Sequence, residues 1–331
     1  MSTPRVTVVM SVYNDGPFVG HAIDSMLDQT FGNFEFLIVD DRSNDDSADV
    51  IAERAASDPR IRVLPSPEKG RIPALNTLLS AARGEWIALM DSDDYSMPDR
   101  LEKQLALADS DPRLGVIACH ATLIDAAGKT IGEDPMKPLV HEEFVAALED
   151  KPLLNHNAVI YRREAVLAVG GYHRAFIHAE DYDLWTRLID RVRFANLPDR
   201  LVTYRLYPGQ TSSRHVVAQT TNAVVSYLAY RERAAGRPDP TAHLHAIPPI
   251  DALDLLFGHE GAASYVRSRI VERVLYSPEA LSGEGYEPIL GHIAEHGAEP
   301  RLWRASARLL KAGHPGKAAG MARALMKASH R

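Results

Sequence analysis

A chain of 331 residues, 45% of them hydrophobic, can bury one large α/β domain with a smaller attachment and is expected to fold as a soluble globular protein. The net charge is −7, yet residues 301–331 hold eight Lys or Arg and no Asp or Glu, so the first 300 residues carry −15 and lack the basic footprint of a nucleic-acid partner. The single cysteine, Cys119, cannot make an intrachain disulfide, the start MSTPRVTVVMSVY lacks the order of a secretory signal, and no apolar run approaches the roughly 20 residues that cross a bilayer. A cytoplasmic location is expected, with any membrane contact made peripherally at the inner face of the plasma membrane.

Residues 5–12 are β-branched and apolar, residues 20–29 have helical spacing, and Phe34–Asp40 (FEFLIVD) is a second apolar run. A helix from about Ser47, a strand at Ile61–Leu64, a helix at 73–82 and a strand at 86–90 continue the alternation. Strands apolar on both faces, each followed by a helix, specify a mostly parallel α/β sheet flanked by helices. Such sheets bind ligands beyond the carboxyl ends of their strands.

Three polar loops fall there: Tyr13-Asn14-Asp15-Gly16-Pro17, Asp40-Asp41-Arg42-Ser43-Asn44 and Asp91-Ser92-Asp93-Asp94. Taken singly, each also reads as ordinary turn chemistry, and Ser96 with Asp99 has the form of a capping box for a helix through Leu101 and Leu105. From Leu114 the strands shorten. Ala126-Ala127-Gly128-Lys129 reads as a hairpin turn between strands at 118–124 and 130–132, and Asn155-His156-Asn157 precedes a strand at 158–161.

Beyond Thr220 the pattern is helical, broken by Gly236-Arg237-Pro238-Asp239-Pro240 and Pro248-Pro249. The expected division is a catalytic domain over 1–215, in halves 1–110 and 111–215, and a helical C-terminal region over 216–331.

Asp91 and Asp93, separated by one residue behind a strand, can converge on a hard divalent cation, Mn2+ or Mg2+, that keeps waters and takes further ligands from a diphosphate. Its use in a transfer reaction is to stabilise charge developing on a leaving diphosphate. Acidic triplets recur by chance, and only the strand context distinguishes this one.

Val8-Val9-Met10-Ser11-Val12-Tyr13-Asn14, then Val39-Asp40-Asp41-Arg42-Ser43-Asn44-Asp45, then Asp91-Ser92-Asp93-Asp94 together resemble family 2 glycosyltransferases of the GT-A fold, in order and spacing as well as in letters. The resemblance implies an inverting, metal-dependent transfer of a sugar from a nucleotide diphosphate donor, with UDP-sugars the commonest, to an acceptor hydroxyl. It also assigns roles. Ser11, Tyr13, Asp41, Asp91 and Ser92 would bind the nucleotide, with Tyr13 near the base and Asp41 on its edge, and Asp93 would contact the metal. Gly70-Arg71 with Ala74-Leu75-Asn76 resembles a segment in which arginine commonly stands at the position of Leu75, which leaves Arg71 to reach the diphosphate or base.

Gly170-Gly171-Tyr172 and Ala179-Glu180-Asp181-Tyr182-Asp183-Leu184-Trp185 resemble the family's glycine-glycine-tyrosine turn and its Glu-Asp motif opening a helix. Displacement at the anomeric carbon needs a base for the acceptor hydroxyl. Asp181 is the candidate, with Glu180 beside it, although acids in a first helical turn are also favoured by the helix dipole. Leu184, Trp185 and Leu188 share the core-facing side of that helix. His156, Gly171, Tyr172, Trp185 and Arg205 are assigned to the acceptor or sugar pocket.

In Tyr204-Arg205-Leu206-Tyr207-Pro208-Gly209-Gln210-Thr211-Ser212 the family's histidine, two positions after the arginine, is replaced by Tyr207; His215 is a candidate substitute. The acceptor expected is a growing polysaccharide or lipid-linked glycan of the cell envelope. A sugar nucleotidyltransferase would need a glycine-rich loop after the first strand, which is absent; a non-catalytic nucleotide-sugar-binding or scaffold protein is the other alternative, against which stand Asp93 and Asp181, although carboxylates alone do not prove catalysis. No dinucleotide fingerprint or P-loop occurs.

In the tail, Arg301, Arg304, Arg308 and Lys311 fall on one side of a helix and Leu302, Trp303, Leu309 and Leu310 on the other. Such a helix suits an anionic membrane surface or a homo-oligomer contact, or it packs its apolar side on the protein and leaves the basic side in water.

Overall fold

The computed structural model describes residues 3–149, 153–207 and 215–329. Chain contacts divide the protein into two units, residues 1–174 with 180–208, and residues 175–179 with 209–331.

The first unit runs β1 (Val6–Val12), α1 (Gly16–Leu27), β2 (Phe34–Asp40), α2 (Ser47–Ser57), β3 (Ile61–Leu64), α3 (Arg71–Ala81), β4 (Trp86–Leu89), α4 (Arg100–Ser110), β5 (Leu114–Ile124), β6 (Thr130–Glu133), α5 (His141–Ala147), β7 (Ile160–Arg162), α6 (Arg163–Ala168), α7 (Glu180–Leu188) and β8 (Arg193–Arg205). Among the described residues the strands form one sheet in the order β3-β2-β1-β4-β7-β5-β6, with β8 on the other edge of β5. The first four strands are mutually parallel, whereas β7 runs antiparallel to both β4 and β5.

Two-residue alternation sends Val6, Val8, Met10, Phe36, Ile38 and Trp86 to one face, against Ile23 and Met26 of α1 and Leu101 and Leu105 of α4. The other face buries Val9, Leu37 and Val39, and α3, with Leu75, Leu78 and Leu79 buried, packs against β1 and β2. Each such side chain contributes about 1.5–3 kcal/mol of burial. This two-sided core holds the strand ends, and so the loops that follow them, in fixed register.

Two local expectations needed correction. Helix α1 begins at Gly16, earlier than its apolar spacing shows, because Pro17 fits a first turn whose N–H groups are unpaired anyway. Ser96 does not cap α4: the helix starts after Asp99, whose side chain makes no capping bond. Ser96 instead accepts a β-bridge to Val202, and its amide donates to Ser25 Oγ at 3.1 Å. The long strand β8 contains Pro198, which argues against a strand. The register passes from Cys119↔Leu197 to His120↔Arg200, so Pro198 and Asp199 bulge out of the ladder and the missing N–H is not needed.

The second unit is helical: α8 (Val216–Ala234), α9 (Leu253–Phe257), α10 (Ala262–Val274), α11 (Pro278–Ser282), α12 (Tyr286–His296), α13 (Pro300–Lys311) and α14 (Pro315–Ser329). Its core gathers Phe176, Val225, Val266, Ile270, Ile289, Leu302, Leu309, Met321 and Leu325, which explains why 175–179 belongs with it. The apolar side of α13 is thereby split. Leu302 and Leu309 are fully buried, while Trp303 and Leu310 remain 39% and 60% exposed. Among the described residues no helix is long and apolar enough to cross a membrane.

Arg100, fully buried at the start of α4, donates from Nη2 to Leu89 O at 2.9 Å and Val159 O at 3.4 Å, and from Nε to Gln104 Oε1 at 3.1 Å. It ties the end of β4 to the entry of β7. Arg100→Ala removes the buried donor to Leu89 O, at about 1–3 kcal/mol, while Val159 O keeps its bond from Leu89 N at 3.0 Å; urea unfolding should show a loss of stability in that range or above.

Candidate active site

The parallel register sets Val12 opposite Asp40, and Met90 N donates to Val9 O at 3.1 Å, so β1, β2 and β4 deliver their loops to one edge. There the loops lock together. Asn14, in the left-handed region at φ 56°, donates its amide to Ser43 Oγ and accepts from Asn44 N through Oδ1, both at 2.9 Å. Asp15 N donates to Ser47 Oγ at 3.0 Å and Gly16 N to Asp45 Oδ2 at 3.0 Å. A Cβ on Gly16 would lie 1.6 Å from Asp46 Oδ1, so a larger residue there would push the Asp46 side chain aside. Ser92 Oγ then donates to Asp15 Oδ2 at 2.5 Å, docking the third loop on the first. Ser92, expected to bind nucleotide, has its hydroxyl proton committed to that bond and is only 4% exposed.

Ser11 lies half-buried near the end of β1. Tyr13 is 45% exposed, and Lys69 places Nζ 4.5 Å from its ring centroid and 3.3 Å from its hydroxyl, leaving an aromatic platform at the surface. Asp41 is buried; it accepts from Gly70 N at 2.8 Å and Ser66 Oγ at 3.0 Å and so fixes the turn into α3. One consequence is the placement of Arg71, the first residue of that helix.

Arg71 joins residues far apart in the chain. Nη2 donates to Asp91 Oδ1 at 2.7 Å and to His156 Nδ1 at 3.1 Å, and Nε lies 3.0 Å from Glu180 Oε1. Because a guanidinium only donates, Nδ1 of His156 must accept, which assigns the proton to Nε2, 2.9 Å from Tyr172 Oη. Burial, then the Arg71 charge, pushes the imidazole down to about 3, so it stays neutral. Burial would raise the Asp91 carboxyl, but the Arg71 guanidinium outweighs it and holds Asp91 below its usual range.

Other acids at this edge lack such a partner. Asp93 is pushed up to about 6, by burial and then by the charges of Asp91 and Asp15. Asp15 is raised mainly by burial, with Asp91 and Asp45 adding to it. Carboxylates that raise one another in a partly buried site are the arrangement a cation relieves. Among the described residues no group of three or more His, Cys, Asp or Glu is placed to cage a metal, so a cation here would draw further ligands from diphosphate and water. The donor set fits Mn2+ or Mg2+ on those terms.

Asp94, 3% exposed, accepts from Arg205 N at 2.7 Å and Asn157 Nδ2 at 2.5 Å and braces the loop. Arg205, expected in the sugar pocket, is only 6% exposed. Its guanidinium donates to Asp93 O at 2.5 Å and to Asp125 O and Ala126 O at 3.1 Å, so it clamps backbone rather than offering itself to a sugar. Trp185, assigned to the same pocket, is 1% exposed and packs against His156, Tyr161 and Phe194. It backs the site without lining it. His215 stacks on His178 at 4.2 Å in the second unit, and Tyr207 sets its ring 5.9 Å from that of Phe18. Residues 208–212 of the Tyr204–212 segment lie outside the described residues.

At the opening of α7, Asp181 is pushed up to about 7 by burial and then by Glu180. Tyr182 N donates to its Oδ1 at 2.7 Å, which leaves the carboxylate further lone pairs. Tyr172 is held by Asn76, whose Nδ2 donates to Tyr172 O at 2.8 Å and whose Oδ1 accepts from Tyr172 N at 2.9 Å. Gly171, at φ 73°, makes room for this, since a Cβ there would sit 2.7 Å from Asn76 Oδ1. Sequence reasoning assigned no individual part to Asn76, Asp94 or Phe18, whose partners are remote in the chain, and it read Asn155-His156-Asn157 as a segment to line the acceptor or sugar pocket, whereas Asn157 is 1% exposed and braces Asp94. For Asn76 the signal was its place in the motif beginning at Gly70.

Residues 7–208 match the sequence profile of Glycosyl transferase family 2. EpsE of Bacillus subtilis (strain 168), which bears a glycosyltransferase name, is 32% identical over 236 residues, covering 70% of this chain and 83% of the relative. The O-antigen biosynthesis glycosyltransferase WbnJ of Escherichia coli is 31% identical over 215 residues, covering 62% and 81%. Among solved structures, the Pyrobaculum calidifontis mannosyltransferase PcManGT, in complex with GDP-Man and Mn2+, superposes with a TM-score of 0.55 at 20% identity over 99% of this chain and 86% of the other, a likeness of fold. The matched segment spans all three acidic loops and the Glu180-Asp181 pair, and the chain belongs to glycosyl transferase family 2.

Proposed function

We propose that this protein transfers a sugar, with inversion, from a UDP-sugar to a hydroxyl of a polysaccharide or lipid-linked glycan of the cell envelope. The observation that carries the reading is Arg71, which touches both Asp91 and Glu180. The loop behind β4 and the helix start bearing Asp181 therefore lie within the span of one guanidinium. A donor diphosphate at the first and an acceptor hydroxyl at the second would be close enough to react.

In this reading Tyr13 stacks on the base, Asp41 orders the turn beneath it, and Asp91 with Asp93 faces the diphosphate. A divalent cation, Mn2+ or Mg2+, held at Asp93 would supply charge neutralisation for the leaving diphosphate; the Mn2+ and GDP-Man bound by the mannosyltransferase support it. Asp181 takes the acceptor proton, and Glu180 keeps Asp181 basic by its negative charge while anchoring Arg71. The O-antigen role in the name of the Escherichia coli relative supports a cell-envelope glycan as acceptor.

Calorimetric titration with UDP, dTDP, GDP and CDP, with and without Mn2+, should give Mn2+-dependent binding for UDP; tighter binding of another nucleotide reassigns the donor, and no binding at all removes the enzymatic reading. Asp181→Asn should cut kcat by about 10²–10⁴-fold with UDP affinity unchanged, whereas Asp93→Ala should weaken Mn2+-dependent UDP binding as well.

A base must be deprotonated to act, so kcat/KM should fall as pH drops through about 7, the position of Asp181. Glu180→Gln removes the charge that helps raise it, and the midpoint should move to lower pH; a midpoint that stays in place or rises refutes Asp181 as the titrating group.

We further propose that α13 rests on an anionic membrane surface, with exposed Trp303 and Leu310 entering the interface beside Arg304 and Lys311. Deleting the tail would strip Leu302, Leu309, Met321 and Leu325 from a core, so the test keeps the helix. Trp303→Ser with Leu310→Ser should lower co-sedimentation with phosphatidylglycerol vesicles several-fold. Unchanged sedimentation with a smaller particle in light scattering would mean that this face pairs two copies instead.

A further inference from the structure

Residues 66–70, between β3 and α3, form a strap that is tied down along its length. Asp41 accepts from Ser66 Oγ at 3.0 Å and from Gly70 N at 2.8 Å. Arg42, in the left-handed region at φ 62°, donates from Nη2 to Pro67 O at 3.2 Å and to Ser66 O at 3.4 Å. The two carboxylate oxygens of Glu68 accept from Arg174 Nη2 at 3.0 and 3.1 Å. Held on both sides, Lys69 is directed to Tyr13. Its Nζ lies nearer to the phenol oxygen, at 3.3 Å, than to the ring centroid, at 4.5 Å. The ammonium therefore stands at the hydroxyl end of the ring and leaves the body of that face to a stacking partner.

We infer that Lys69 reads the base of the donor and selects one with a carbonyl on the edge away from the ribose, as in uracil or guanine, over one with an amino group there, as in cytosine or adenine. The inference rests on the reading of Tyr13 as the base platform and adds a selectivity to it. With the diphosphate drawn to the end of the site where Arg71 meets Asp91, the far edge of a stacked base meets the ammonium. An ammonium only donates. It gains a charge-assisted hydrogen bond from a base carbonyl, whereas an exocyclic amine sets donor against donor, a repulsive element that discriminates between partners. Asp41, the acceptor within the strap, is 5% exposed and already takes Ser66 and Gly70, so it does not offset that loss.

The test is the dissociation constant of the full chain for two pairs of nucleotides of matched ring size, UDP with CDP and GDP with ADP, measured by calorimetry with Mn2+ present. In the pair that binds, the natural protein should prefer the carbonyl-bearing base. Lys69→Met keeps an unbranched side chain beside Tyr13 without the charge. It should weaken binding of that nucleotide about 10-fold, the loss of one hydrogen bond to a charged group, and leave the amino-bearing partner unchanged, so that the preference collapses. Lys69→Arg retains a donor and should retain the preference. Lys69 is exposed, so neither variant disturbs a core. Equal weakening of both members of the pair in Lys69→Met would mean that the ammonium attracts the diphosphate alone, and it overturns the inference, as does a natural protein that shows no preference or favours CDP or ADP. Absence of Mn2+-dependent binding of all four nucleotides overturns the donor reading beneath it.

Discussion

Parallel strands in register bring the ends of β1, β2 and β4 to one edge, and with them a concentration of carboxylates that repel one another. Everything else at this edge answers that constraint. Arg71 neutralises Asp91 and reaches Glu180, while Asp15, Asp93 and Asp94 are driven upward from their ordinary range by burial and by neighbouring acids. A fold that spends stability in this way carries electrostatic strain where a cation and a charged substrate can relieve it.

The supporting layer is built to keep those acids in place without satisfying them fully. Asp94 and Arg205 brace the loop from beneath, Asp41 holds the turn into α3 through Gly70 N and Ser66 Oγ, and Asn76 holds the Gly171-Tyr172 turn through paired hydrogen bonds to the Tyr172 backbone. His156 is neutral, accepts from Arg71 and donates to Tyr172. It thereby links the start of α3 to the Gly171-Tyr172 turn without adding charge.

The helical unit has its own core and its own economy of surface. The basic character of α13 is real, but its apolar stripe is shared between the interior, which takes Leu302 and Leu309, and the outside, which keeps Trp303 and Leu310. Arg308 is partly drawn inward, its Nη1 donating to Leu275 O at 2.8 Å and its guanidinium lying over Tyr276. A helical wheel cannot divide such a stripe, since both halves have the same periodicity.

Read along the chain, the alternation of apolar runs and helical spacing was sufficient for the parallel half of the sheet: β2 and β3 have the bounds their residues indicate, and the acidic loops follow their strands. That much is local, because a strand buried on both faces is apolar throughout and a turn needs particular residue types. The strand β8 was hidden by Pro198, which only a bulge against β5 accommodates. Arg205 and Trp185 looked like pocket residues because polarity and aromaticity say nothing about direction; the packing turned both inward. Partners of Arg71 lie 20, 85 and 109 positions away in sequence at Asp91, His156 and Glu180. The sequence by itself determined which elements form and which chemical groups follow them. Tertiary structure alone decided which charges touch, since a pKa or an ion pair depends on distances of a few ångströms that only the closed sheet and its helices set.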